Sequence, residues 1–249
     1  MRGVAAALVL CVVCLAATAA SAHTGPGPSG PRLTELERLI DANAPVFCGG
    51  RRKRVFALTF DDGPSPWTEL LVAALRRAHA PATFFLVGNR ISLWTADARA
   101  AAAYGAVGDH TWSHALLTAL PRKRVRRQLT WTLDAFRKRL GVTTRLFRPP
   151  YDRTDGTVAS VVASLRLLDV RWNVDSGDSL SGATPNRAVR ATLQGLRPGA
   201  IVLMHDARPW TAEVVRRVLE VARRRHLRPV TVPRLLTVDP PGPRENCYR

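Results

Sequence analysis

Residues Val55-Phe56-Ala57-Leu58-Thr59-Phe60-Asp61-Asp62-Gly63-Pro64 form an apolar run that ends in two adjacent carboxylates and a Gly-Pro pair. The run reads as a buried strand, and Gly63-Pro64 forces a turn at its end. Outward from it the chain alternates. Helical spacing runs from Trp67 to His79, a second strand from Ala82 to Val87, a helix from Ile91 to Tyr104, and a short strand ends at His110. Pro121 to Leu140 is the clearest helix, with Val125, Leu129, Leu133, Phe136 and Leu140 on one face, Pro121 in its first turn and Gly141 at its stop. Then follow a strand at Arg145–Arg148, a helix at Thr157–Leu168 and a strand at Val170–Asp175. A helix at Pro185–Leu196, a strand at Ala200–His205 and a helix at Thr211–Arg225 complete the series. Repeated strand–helix alternation predicts a single α/β domain with a mostly parallel sheet, closed or nearly closed.

The 249 residues carry 37 Lys+Arg against 19 Asp+Glu, a formal charge of +18, and 46 % are hydrophobic. That apolar share excludes intrinsic disorder despite the charge. The positive sign admits anionic polymers, membrane surfaces and nucleic acid as partners without choosing among them. Only Lys53, Lys123 and Lys138 are lysines, so the bias toward Arg also fits a coding preference. Most cations, such as Arg122 to Arg127 and Arg223 to Arg225, fall on helix faces or helix ends, where a solvated surface explains them. An electrostatic attraction to an anionic cell envelope is the functional alternative.

Arg2, the apolar run Val4–Ala17 and the small residues Ala20-Ser21-Ala22 have the pattern of a secretory signal peptide over residues 1–22. The run is too short to span a membrane. Cys11 and Cys14 lie inside it, which leaves Cys48 and Cys247 as the cysteines of the exported chain. In an oxidising compartment these would pair, closing a loop of roughly 200 residues worth at most about 5 kcal/mol; two unpaired thiols are the alternative. Residues 23–45 read as a flexible tether with a short helix, 46–238 as the folded domain, and 239–249 as a tail. The string Gly25-x-Gly27-x-x-Gly30 lacks the preceding strand that a dinucleotide site needs.

In a parallel barrel the chemistry collects at the C-terminal ends of strands. Asp61 and Asp62 can divide the work of general base and cation ligand, although an Asp-Asp pair before Gly-Pro is also ordinary turn chemistry. His110 and His114 at i and i+4 would share one face of a helical turn and, with Asp62, form a two-His, one-carboxylate metal set with open positions. Arg148 can keep Asp61 ionised. His205 ends an apolar strand and is placed for a general acid, or is a capped loop histidine.

Together these strand ends resemble the polysaccharide deacetylases with a NodB-homology domain, the fourth carbohydrate esterase family. The resemblance runs in order from about Val55 to Thr231 through Thr59-Phe60-Asp61-Asp62-Gly63-Pro64, His110-Thr111-Trp112-Ser113-His114, Arg148-Pro149-Pro150-Tyr151, Asp175-Ser176-Gly177-Asp178 and Leu203-Met204-His205. It implies a distorted (β/α)7 barrel, Asp61 as catalytic base, and a divalent metal on Asp62, His110 and His114, zinc first with cobalt as an alternative. Arg148 would orient Asp61, and the Tyr151 backbone N–H would hold the oxyanion. Asp178 would tune His205, which protonates the leaving amine, and Leu203 would line the acetyl pocket. Two positions depart from the family pattern: Ser179 stands where a Trp is usual, and Asp152 where a Gly follows the Tyr.

The implied partner is an acetylated polysaccharide, with no specific nucleic acid and no transmembrane segment. A secreted chain of bacterial-looking composition favours N-acetylglucosamine polymers of the peptidoglycan or chitin type over O-acetylated xylan. Two other classes compete. Gly177-Asp178-Ser179-Leu180 spells the signature of a serine esterase, but none of the six histidines has an Asp three residues before it. A secreted wall-polymer-binding protein would explain the charge, yet leaves the strand-end residues without a role.

Overall fold

The computed structural model describes residues 31–242 and 247; the signal-peptide segment, residues 23–30 of the tether and residues 243–246 and 248–249 of the tail lie outside the described residues. Eight parallel strands are present: β1 (Val55–Gly63), β2 (Thr83–Leu86), β3 (Ala106–Asp109), β4 (Leu146–Phe147), β5 (Leu168–Asp169), β6 (Val174–Asp175), β7 (Ile201–His205) and β8 (Arg228–Pro229). Seven run in the order β5-β4-β3-β2-β1-β7-β6, and β8 pairs with the start of β1. The path curls into a barrel whose seam lies between β5 and β6.

Nine α-helices complete the described chain: α1 (Pro31–Asp41), α2 (Thr68–Arg77), α3 (Arg90–Leu93), α4 (Thr95–Tyr104), α5 (Arg122–Ala135), α6 (Gly156–Ser164), α7 (Pro185–Gly195), α8 (Thr211–Arg224) and α9 (Val232–Val238). The two-residue period of the strands sorts the core into layers. Phe56, Leu58 and Phe60 of β1, with Val202 and Met204 of β7, pack outward against the Leu71, Val72 and Leu75 face of α2 and the Val214, Val215 and Val218 face of α8. Their neighbours Val55, Ala57, Ile201 and Leu203 point inward, against Phe85, Leu146, Val170 and Trp172. Val232, Leu235 and Leu236 of α9 and Ile40 of α1 join that inner cluster. A third cluster packs α5 and α6 against Phe147.

Several boundaries differ from the sequence reading. The helix expected over Ile91–Tyr104 breaks at Trp94 (φ −124, ψ 51) into α3 and α4. The helix expected to reach Leu168 ends at Ser164, because Arg166 turns left-handed (φ 53) and Leu168–Asp169 pairs with β4 instead. Of the strand expected at Val170–Asp175, only Val174–Asp175 forms a ladder with β7. The long amphipathic helix widens to a π-turn at Phe136–Leu140 before left-handed Gly141 (φ 69) ends it. β8 and α9 had no counterpart in the sequence reading. Cys48 and Cys247 are joined by a disulfide, with Cα atoms 5.5 Å apart across a sequence separation of 199.

Candidate active site

Strand alternation alone would send Asp61 inward and Asp62 out among the helices. It does not, because the β1–β2 register shifts between Asp61 and Gly63 and Asp62 adopts a left-handed backbone (φ 68). The extra residue of this bulge re-aims its side chain, so both carboxylates reach the same mouth of the barrel. Gly63 is required there: a Cβ would lie 2.2 Å from Asp206 Oδ2. Asp206, fully buried just beyond β7, was missed at the sequence level. Its carboxylate accepts from Ser65 Oγ (3.1 Å) and Thr68 Oγ1 (2.5 Å), and its N–H donates to the Asp61 carbonyl (2.9 Å). Burial pushes its pKa up to about 6 against those two hydrogen bonds. The only sequence-level signal was its place directly after His205.

His110 and His114 do come together, but not on a helical turn. Residues 110–116 are a loop with left-handed Thr111 (φ 66) and His114 (φ 55), started by the Thr111 N–H on Asp109 Oδ1 (2.7 Å). Burial raises the Asp109 carboxyl well above its ordinary range, with the hydrogen bonds from Thr111 and Thr132 opposing it. His110 Nδ1 lies 2.8 Å from the Arg148 carbonyl and His114 Nδ1 3.2 Å from the Tyr151 hydroxyl. The Arg148 carbonyl can only accept, so it sets the His110 proton on Nδ1 and leaves the Nε2 lone pair free, the arrangement that second-shell bonds give to metal-binding histidines; the Tyr151 hydroxyl can accept from His114 Nδ1 in the same way.

Those two Nε2 atoms lie 3.5 Å (His110) and 3.1 Å (His114) from Asp62 Oδ1, and the three candidate ligand atoms lie within 4.8 Å of one another. Asp62 Oδ1 is buried and has no hydrogen-bond donor. Burial works to raise the Asp62 pKa, but when His110 and His114 are protonated their hydrogen bonds and charge outweigh it and hold the group far below the usual carboxylate range. Three lone-pair donors facing one point fit a divalent cation.

Asp61 sits beside this cluster, only 4 % exposed. Arg148, fully buried, donates from Nη1 to Asp61 Oδ1 (2.7 Å) and to Thr59 Oγ1 (2.8 Å). Its Nε and Nη2 bond the carbonyls of Val170 (2.9 Å) and Arg171 (3.1 Å), which span the seam between β5 and β6. The guanidinium also lies 4.1 Å from the Phe85 ring centroid. Burial lowers the Arg148 pKa while the Asp61 charge opposes the shift.

On the adjacent strand β7, His205 is the register partner of Asp61. Its Nδ1 and its backbone N–H each lie 2.7 Å from an oxygen of Asp178, which is 1 % exposed. Burial would lower the His205 pKa, but the Asp178 hydrogen bond and charge, helped by Asp61 and Asp62, push it up to about 9. Leu203 lies one inward step below His205 and packs in the inner cluster with Trp172.

The two departures have physical counterparts. Asp152 is left-handed (φ 57), as is Tyr151 (φ 59), a conformation that Gly adopts most easily. Its carboxylate pairs with buried Arg171, which also holds Asp169 through two bonds (2.6 and 2.9 Å) and reaches Thr154 Oγ1 (3.0 Å). Tyr151 places its hydroxyl on His114, a contact the sequence reading did not anticipate. Ser179 is exposed, and its side chain makes no hydrogen bond to a histidine among the described residues, so the serine-esterase constellation is absent there.

A parallel barrel that gathers a carboxylate–dihistidine cluster, an Arg-held carboxylate and an Asp-held histidine at one mouth has the layout of a metal-assisted hydrolase. The chain matches the polysaccharide deacetylase family over residues 49–169. It is 34 % identical over 209 residues to chitin deacetylase 1 of Cryptococcus neoformans var. grubii, covering 72 % of this chain and 44 % of the relative. It is 31 % identical to a peptidoglycan-N-acetylmuramic acid deacetylase of Bacillus subtilis, covering 74 % and 39 %. The solved family 4 carbohydrate esterase of Streptomyces lividans superposes with a TM-score of 0.69 at 31 % identity, covering 79 % of this chain and 99 % of that one. The chain therefore belongs to the polysaccharide deacetylases of carbohydrate esterase family 4, whose distorted (β/α)7 barrel it shares. It spans less than half the length of the two curated relatives.

Proposed function

We propose that this protein removes N-acetyl groups from N-acetylglucosamine-containing polysaccharide of the peptidoglycan or chitin type. The observation that carries the reading is the side-by-side placement of Asp61 and His205 on adjacent strands at one mouth, each fixed by a buried partner of opposite charge, beside the Asp62–His110–His114 cluster. A divalent cation held by those three residues, zinc first and cobalt second, would supply Lewis acidity for the attacking water and the acetamide carbonyl.

The remaining roles fall to the chain itself. Asp61, held and aimed by Arg148, takes a proton from water at the carboxylate oxygen that Arg148 leaves free. The Tyr151 N–H is assigned to the oxyanion, and Leu203 to the methyl of the acetyl group. His205, protonated through Asp178, gives its proton to the departing nitrogen, so acetamide plus water yields acetate and a free amine. Residues 46–238 are assigned as the deacetylase domain, and residues 1–22 as the leader that exports it. No helix among the described residues is long and apolar enough to cross a membrane.

The test is acetate release from peptidoglycan, chitin oligomers and acetylated xylan, with zinc, with cobalt and after chelation. Release from the two amide polymers that is lost on chelation supports the reading. Release from xylan alone replaces it with an O-acetyl esterase, and chelator-resistant release overturns the metal assignment. Polymer retention without acetate, at full metal occupancy, identifies a binding protein.

A further inference from the structure

The catalytic mouth uses acids and histidines and leaves the high positive charge unexplained. A cleft of about 730 Å³ lies at the other end of the barrel, between the ends of α2 and α8 and strand β8, which pairs with the first residues of β1. Arg77, Arg216, Arg223, Arg228, His79 and His226 line it. All six are exposed, and none of the four guanidinium groups has a hydrogen-bond or ion-pair partner among the described residues. The cleft's acid, Glu220, is already paired with Arg224 (3.0 Å).

Helix ends account for part of this pattern. Arg77 and Arg223 sit in last turns, where the dipole favours cations. Arg216, inside α8, and Arg228, on β8, have no such reason. On α5, Arg122 and Arg126 are spent on Ser160 and Ser164 hydroxyls (2.8 Å each), while Arg124 and Arg127 are exposed without a cleft to gather them; what sets the four arginines here apart is that they converge on one concavity. Four unpaired guanidinium groups around one concavity offer fork-shaped donors to several phosphates at once. The floor between them is apolar, built from Ala78, Leu219, Leu227 and Pro229. It carries no Trp, Tyr or Phe, so it lacks the rings on which nucleic-acid bases stack.

We propose that this cleft binds a phosphodiester-linked polyol chain, the phosphates on the arginines and the aliphatic units on the apolar floor. Such a contact would tether the protein to an anionic polymer from the face opposite the active site. The inference stands apart from the deacetylase reading, since it needs no turnover.

The experiment measures binding of a glycerol-phosphate octamer to the full chain across a range of salt concentrations. A thymidylate octamer, a glutamate octamer and a chitin oligomer are run as competitors. Removing two phosphate contacts with Arg216→Ser/Arg223→Ser should weaken octamer binding about tenfold and reduce the salt slope by about 2. The same charge loss on the exposed face of α5, Arg124→Ser/Arg127→Ser, should change it less than about twofold. Equal losses in the two variants, both confirmed folded by circular dichroism, would show diffuse attraction and overturn the site. Tighter binding of thymidylate or glutamate would overturn the ligand class, and no measurable octamer binding would overturn both.

Discussion

His205 is the residue whose chemistry depends most on its neighbours. Its pKa is raised to about 9 against the desolvation that would lower it, because Asp178 meets both its ring and its backbone. A group whose folded pKa exceeds its unfolded value near 6.5 stabilises the fold fully below that value and loses the contribution as pH rises through the folded pKa. Chelated protein should therefore lose stability between about pH 6.5 and 9, measured by urea melts, and Asp178→Asn should flatten that slope. With cation bound, the charges of Asp61 and Asp62 are compensated, so the alkaline limb of turnover should fall below pH 9 and move further down in Asp178→Asn. Replacing Asp61 by Asn or His205 by Ala should reduce acetate release at least a hundredfold while metal content stays at one ion per chain; normal release in either variant would remove the assignment. Arg171 is a different kind of residue. Arg171→Met leaves Asp169, whose side chain is only 15 % exposed, without its cation, a loss of up to about 3 kcal/mol by the measure of broken buried pairs. Asp152→Gly should cost far less, since Gly relaxes the left-handed backbone that the ion pair now holds. Denaturant midpoints of the two variants separate the cases.

The first strand shows at the scale of elements what the sequence made legible. Its apolar run and its Gly-Pro stop identified β1 to within a few residues. Its two carboxylates were assigned to different tasks from their adjacency alone. The means of separating them, a bulge plus a left-handed Asp62, had no signature, because it depends on the register with β2. The histidine pair teaches the same point. The i, i+4 spacing suggested a helix, yet a loop held by Asp109 and left-handed Thr111 delivers the same convergence, so the residues were readable and the backbone was not. One short strand was lost for a related reason. Leu168–Asp169 is two residues long, below the length at which periodicity says anything, and it is a strand only because β4 pairs with it, whereas Val174–Asp175 is the end of the strand expected from Val170. Asp206 escaped because its partners Ser65 and Thr68 sit about 140 positions earlier. The β1 turn can be tested directly. Gly63→Ala puts a methyl group 2.2 Å from Asp206 Oδ2, between a buried carboxylate and the backbone that carries Asp62. It should cost about 2–3 kcal/mol, in the range of overpacked cores, and weaken metal binding as well. Calorimetric melting and a zinc titration read the two effects, and an unchanged zinc affinity would show that Asp62 is positioned independently of this turn.

Across the whole molecule, structure and chemistry are segregated along the barrel axis. The mouth carries the groups to which the reaction is assigned, at the ends of β1, β3, β4 and β7. The opposite end is where the termini of the domain are fastened. Fully buried Asp239 accepts from the Lys53 N–H (2.6 Å) and Arg52 Nε (3.0 Å), the Gly49 N–H donates to the Gly199 carbonyl (2.8 Å), and Cys48 is bonded to Cys247. The disulfide therefore closes a ring around almost the entire domain without touching a residue of the proposed site. A loop this long gives the chain-entropy term close to its largest value, about 5 kcal/mol, as an upper bound. The hydrogen bonds of Asp239 join the same two segments without the covalent link, so they hold the native geometry while contributing nothing to the restriction of the unfolded chain. Cys48→Ser/Cys247→Ser should therefore lower the denaturation midpoint by an amount equivalent to as much as about 5 kcal/mol. Acetate release per folded molecule at 25 °C should stay within about twofold of the parent chain. Urea melts under oxidising and reducing conditions, paired with turnover normalised to the folded fraction, make the comparison. A reduced protein that melts with the oxidised one would show that the Asp239 latch alone fastens the domain. A loss of turnover larger than the loss of folded protein would show that strain at the closed end reaches the mouth.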